Sequence, residues 1–132
     1  MLRRYGLRER GAAAVEMAIV LPLLLLLLGG VIDFGWLFFQ KIVMTNAARE
    51  GARGAVVKMT DADVQARAAA AANPFTSQVT VQVNSNCLAD PPPANAKADV
   101  VVSKPFHFFM LNALPGVPDP GTVDGEGVMG CV

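Results

Sequence analysis

AAAVEMAIVLPLLLLLLGGVIDFGWLFF, residues 12–39, decides the fold. From Met17 to Ile32 no side chain carries a charge, and Leu23–Leu28 is an unbroken leucine run. Only Glu16 and Asp33 interrupt the apolar character of the longer stretch. As an α-helix these residues reach about 42 Å, more than the ~30 Å hydrocarbon core of a bilayer. Each leucine near the helix centre favours insertion by about 0.3–0.6 kcal/mol, so the run offsets about one intramembrane carboxylate at ~3 kcal/mol. The other reading is a helix enclosed by a soluble domain. It fails on material, because the chain beyond Val57 is too short to surround such a helix.

Charge distribution then sets the orientation. The 132 residues hold 11 basic and 11 acidic side chains, a formal net charge of zero that conceals a gradient. Arg3, Arg4, Arg8 and Arg10 precede the apolar stretch, against Glu9 alone. Beyond residue 60 the acids outnumber Arg67, Lys97 and Lys104. Basic residues before a span hold that end in the cytoplasm. The N-terminus is therefore expected in the cytoplasm of a bacterial cell, the span in the inner membrane and the C-terminus in the periplasm. The arginines are topogenic charge rather than a nucleic-acid patch. An oxidising compartment suits a disulfide between Cys87 and Cys131, the only two cysteines. Its loop closure would be worth about 4 kcal/mol in the chain-entropy model. Two unpaired thiols are the other possibility.

Outward from the span, the helix is expected to run from Gly11 to Val57, bent at Pro22, where the carbonyl of Ala18 lacks its usual donor. Past the membrane it becomes amphipathic. Thr45, Asn46, Arg49, Glu50 and Arg53 share one side; Val43, Met44, Ala47, Ala48, Gly51, Ala55 and Val57 share the other. Small residues such as Ala47, Ala48, Gly51 and Ala55 permit close helix approach, either by the chain's own domain or by a partner. A second helix is predicted over Asp61–Ala72, with Thr60 and Asp63 in a capping-box arrangement and Asn73-Pro74 as its stop. Val79, Val81 and Val83 alternate with polar residues and predict a strand. Asn84–Pro93 reads as loop. Asp99–Phe109 is strand-like, broken or edged by Pro105. The Gly- and Pro-rich tail from Leu114 reads as loop, with a last short strand near Val128–Cys131. The fold class is α+β. Residues 1–11 are a basic cytoplasmic leader, 12–39 a transmembrane helix, 40–58 its extracytoplasmic extension, and 59–132 a small extracytoplasmic domain with a short antiparallel sheet.

The junction Arg10-Gly11-Ala12-Ala13-Ala14-Val15-Glu16 places a glycine before the apolar run and a carboxylate five residues on. A secretory signal would place its cleavage motif after the run, and Leu28-Gly29-Gly30 fits that poorly. Residues Arg10–Arg53 resemble the TadE-like family of pilus-assembly pseudopilins. The matching segments are this junction, Leu21-Pro22-Leu23-Leu24, Asp33-Phe34-Gly35, and Asn46-Ala47-Ala48-Arg49-Glu50-Gly51-Ala52-Arg53. Met17 stands where such proteins often have an aromatic residue, and Gly130 and Val132 stand where charges usually flank the last cysteine.

The resemblance implies cleavage after Gly11 by an aspartic prepilin peptidase, leaving Ala12 as the new N-terminus. It implies a minor pilin or assembly factor of Flp-type (tight adherence) type IV pili, which act in cell adhesion, with other pilins and pilus-assembly proteins as partners. Glu16 then lies one helical turn, about 6 Å, from the amine at Ala12. Amine and carboxylate are each costly in lipid, and pairing lowers the cost of both. Glu16 of an incoming subunit is thus expected to meet a neighbour's Ala12 amine and set axial register.

Asp33 lies about 31 Å along the helix from Ala12, a depth suited to the outer headgroups, where Trp36 fits as an interfacial anchor. Its expected role is structural. His107, the single histidine, is expected to be satisfied or exposed. Asp119, Asp124 and Glu126 do not follow a calcium-loop pattern, and the cysteines lack zinc-site spacing. No metal, cofactor or enzymatic activity is expected. The rival function is a permanently anchored, unprocessed interaction subunit of an envelope complex.

Overall fold

The computed structural model describes residues 5–131, with side chains from Gly11 onward. Leader arginines Arg3, Arg4, Arg8 and Arg10, with Val132, lie outside the side chains described. Helix α1 runs over Tyr5–Val56 and continues through Pro22. Over Gly11–Val56 it is long and apolar enough to cross a membrane. Helix α2 covers Asp61–Ala71; strands β1, β2 and β3 cover Thr80–Ser85, Lys97–Phe106 and Gly121–Gly130. The sheet is antiparallel in the order β1-β2-β3. A 3-10 turn, Leu111–Ala113, sits in the loop between β2 and β3. The chain is α+β, a long apolar helix followed by a small domain of one helix and a three-stranded sheet.

The core forms where the upper half of α1 meets the sheet and α2. Met44, Ala47, Ala48 and Ala52 have no exposed surface, and Ala55 is buried beside them. From β2 come Ala98, Val100 and Val102, alternating as a strand face must. From α2 come Val64 and Ala68. Thr60 caps α2: its Oγ1 accepts from the Asp63 N–H at 3.3 Å and donates to Asp63 Oδ2 at 2.7 Å. Val57, expected on the dry face, is 69% exposed. The helix ends at Val56 and the chain turns through Lys58 at φ 60°, which rotates Val57 off that face.

The tail departs furthest from expectation. Residues Gly121–Gly130 are not a loop with a short final strand but ten continuous strand residues paired along all of β2. Val123, Gly125 and Gly127 face α1, while Asp124, Glu126 and Val128 face outward. A Cβ on Gly125 would lie 2.2 Å from the Met44 carbonyl carbon, and one on Gly127 2.5 Å from that of Ala48. The glycines therefore let strand backbone rest on helix backbone. Pro105 does not break β2. The β1 pairing stops at Thr80 opposite Ser103, so Pro105 occupies a stretch that is locally an edge.

Cys87 and Cys131 are joined, with Cα atoms 5.4 Å apart. The bridge does not tie a loose tail to the sheet. It links the ends of the two outer strands across the start of β2, where the Cys131 N–H also donates to the Ala96 carbonyl at 3.0 Å.

Candidate functional site

Three places along α1 carry the sequence features of interest. The first is the junction. Among the described residues, nothing lies within 4 Å of a Cβ built on Gly11. Ala12 and Glu16 are exposed, and Glu16 has no hydrogen-bond or ion partner among the described residues. Above them the leucine run is bare: Leu23 is 67% and Leu27 63% exposed. A carboxylate and an apolar rod stand together with no domain over them. No described residue of the chain occupies the Glu16 carboxylate.

The second place is the block Asn46–Arg53. The structure divides it by face. Ala47, Ala48 and Gly51, with Ala55 beyond, are buried under the chain's own sheet and α2. A Cβ on Gly51 would meet Val100 Cγ1 at 2.9 Å and Ala68 Cβ at 3.0 Å. Of the opposite face, Glu50 accepts from Arg67 Nε at 3.0 Å, with Arg53 3.6 Å away. The Arg67 hydrogen bond first, then the charges of Arg67 and Arg53, hold the Glu50 carboxyl below its ordinary value. Asn46 and Arg49 remain exposed.

The third place, at Asp33, has partners that sequence reasoning missed. Asp33 is buried, and its carboxylate accepts three backbone N–H groups of the β2–β3 loop. Phe109 donates to Oδ1 at 3.1 Å; Met110 and Leu111 donate to Oδ2 at 2.9 and 2.7 Å. These are the otherwise unpaired donors that open the 3-10 turn. A carboxylate accepting several N–H groups is satisfied without water. The loop's base is closed in the same way. Asp119 accepts the Phe108 N–H at 3.0 Å and pairs with His107 Nδ1 at 2.9 Å. The His107 hydrogen bond, followed by the Phe108 N–H, holds the Asp119 carboxyl below its ordinary value.

Aromatic side chains surround this level of the helix. Trp36 stacks on Phe39 and meets Phe75 edge-on, while Phe34 packs edge-on against Phe108. Lys104 Nζ lies 4.9 Å from the Phe75 ring centroid and donates to the buried Gln40 Oε1 at 3.2 Å. Trp36 is half exposed.

Residues 11–53 match the family model described as TadE-like protein. The match begins at Gly11, takes in Glu16, the leucine run, Asp33 and the small-residue block to Arg53, and ends before α2. At family level it supports a protein associated with tight-adherence pili. No curated protein and no solved structure matches the chain.

Proposed function

We propose that this protein is a minor pilin or pseudopilin of a Flp-type (tight adherence) pilus. It sits in the inner membrane with its N-terminus cytoplasmic and its domain periplasmic, and it enters or primes the filament after cleavage behind Gly11. Its role is structural rather than enzymatic. One observation carries the reading: within the TadE-like match, Glu16 stands exposed, with no partner among the described residues, on an apolar helix one turn from Ala12. Prepilin peptidase would cut behind Gly11, and the Ala12 amine would then become a partner for a neighbour's Glu16. Breaking one side of such a pair in a dry interface costs about 3–5 kcal/mol.

The deciding measurement is the mass of the mature chain. Processing leaves Ala12 as the first residue. A chain that begins at Met1 in piliated cells would instead identify a permanently anchored interaction subunit. The register role has its own test. Glu16→Leu is expected to reach the membrane as wild type does, because removing a carboxylate eases insertion, yet to give few or no pili. Normal piliation in that variant would remove Glu16 from the account.

A further inference from the structure

The loop between β2 and β3 is not needed for the pilus reading, and its chemistry points elsewhere. From Phe108 to Pro118 it carries no charged side chain, and Asn112 is the one polar residue. It does not fold back over the domain. It hangs from the end of the sheet nearest the leucine run and lies along α1 below Asp33, where Met110 packs on Gly29, 3.0 Å from a Cβ built there. On the helix side the crevice is lined by Pro22, Leu25, Leu26 and Gly29. On the outer side Phe109 is 85% exposed.

Depth follows from the helix. If the apolar stretch enters the hydrocarbon near Ala12, the ~30 Å core is used up after about 20 residues, close to Asp33. Pro22–Gly29 then lie about 6–16 Å below that boundary. Irregular backbone survives at such a depth only where its N–H groups are satisfied. Here six of the loop's nine N–H groups are taken up: Phe108 is held by Asp119 and Phe109–Leu111 by Asp33, while Ala113 and Leu114 donate to Met110 and Leu111 carbonyls. Pro115 and Pro118 have no N–H to satisfy.

We infer that the β2–β3 loop is a second membrane contact, its tip inserted among the acyl chains of the outer leaflet beside α1. Asp33 is the device that makes this possible, since one buried carboxylate takes up three donors that lipid would leave unpaired. The domain is therefore seated on the bilayer at two points, which fixes its tilt and its rotation about α1. The inference rests on α1 lying in a bilayer, not on cleavage or pilus assembly.

Single-tryptophan depth quenching of the full chain tests it, with one chain per phosphatidylcholine nanodisc and bromine placed along the acyl chains. Trp36→Phe removes the only native tryptophan. Into that background go Ala113→Trp at the loop tip, Leu24→Trp in the span and Leu88→Trp on the far side of the domain. Brominated lipid is expected to quench the first two and leave the third unchanged. Phe109→Trp, at a position 85% exposed, repeats the measurement without touching the 3-10 turn, and should be quenched by bromine near the glycerol end. Loop tryptophans as bright in brominated as in plain lipid, with position 24 quenched, would overturn the inserted loop and leave the span standing. An unquenched position 24 would remove the span itself and the loop contact with it.

Discussion

The two halves of α1 share one backbone conformation and use opposite side chains. Below Asp33 the helix is mostly large-residued and, away from the loop, exposed: Ile19 is 72% exposed, Leu23 67% and Leu27 63%. Above Gln40 it is small-residued and covered: Met44, Ala47, Ala48 and Ala52 have no exposed surface. In lipid, bulk supplies apolar area for insertion. Against a three-stranded sheet with few large residues, bulk would hold the layers apart. Small side chains on α1 and glycines on β3 instead bring backbone to backbone, where dispersion over many close atoms replaces a thick core. On their apolar faces, side-chain size separates the lower half from the domain half.

The sharpest way to break that comparison is to add volume at the contact. Gly125→Leu is expected to leave no protease-resistant domain, whereas Gly30→Leu, with nothing within 4 Å of its Cβ, should leave the domain intact. Even Gly125→Ala must displace helix backbone, and should cost at least the ~3 kcal/mol upper end of ordinary overpacking. Thermal unfolding of Gly125→Ala within about 0.5 kcal/mol of wild type, the range of neutral surface changes, would show that close approach is not what the upper half depends on.

The next two predictions concern the two ends of the domain. At the end far from the leucine run the outer strands are joined covalently; at the near end the loop is held by Asp33. Cys131→Ser should lower domain stability by about 4 kcal/mol through the freed loop entropy, read as a shift of the denaturation midpoint in detergent. A midpoint equal to the disulfide-bonded protein's would mean that packing on α1 alone fixes β1 and β3. Asp33→Leu acts locally. Loss of the three hydrogen bonds to the carboxylate should open the loop by about 2–3 kcal/mol, or roughly 30- to 150-fold faster amide exchange at Met110 and Leu111. The sheet amides should keep their protection. Unchanged exchange at those two amides would mean that contact with Gly29 holds the loop without the carboxylate.

These contrasts also explain what could be read in advance. The apolar half of α1 is legible because Leu23–Leu28 and their neighbours form a run long and apolar enough to cross a membrane. Helix α2 is legible because Thr60 and Asp63 announce its start, and β1 because Val81 and Val83 alternate with polar residues. Of strand β3 only the end near Val128 is legible. A half-buried strand is recognised by apolar residues at every second position, and at 125 and 127 those positions are glycine, the residue otherwise read as a breaker. What faces them is helix backbone, which leaves no mark in the strand's own sequence. Asp33 is half legible. Its place after the apolar run suggests a structural role, but its donors lie 76 to 78 residues away, and backbone N–H groups are the same at every residue.

The smallest effect expected comes from the charges that border the packed half. Glu50 and Arg67 tie α1 to α2 from outside the core, with side chains 32% and 45% exposed. Glu50 is held below its ordinary value of 4.5, chiefly by the Arg67 hydrogen bond. A carboxyl with a depressed folded-state pKa contributes stability that is complete above its unfolded value and lost as pH falls through the folded one. Acidification below 4.5 should therefore loosen α2. Glu50→Gln should carry less of that pH dependence, and the change should be slight because exposed pairs contribute little and salt screens them. Asp119 titrates with the same sign, held low by His107 and the Phe108 N–H, so a slope is expected to survive in the variant. The informative quantity is the difference between the two unfolding-midpoint curves from about pH 6 to about pH 3. Wild type should lose more than Glu50→Gln across that range, and the gap should shrink as salt is raised. Superimposed curves at low salt would mean that α2 is held by Val64 and Ala68 against the small face of α1 alone, and would extend the size argument to the whole of the upper half.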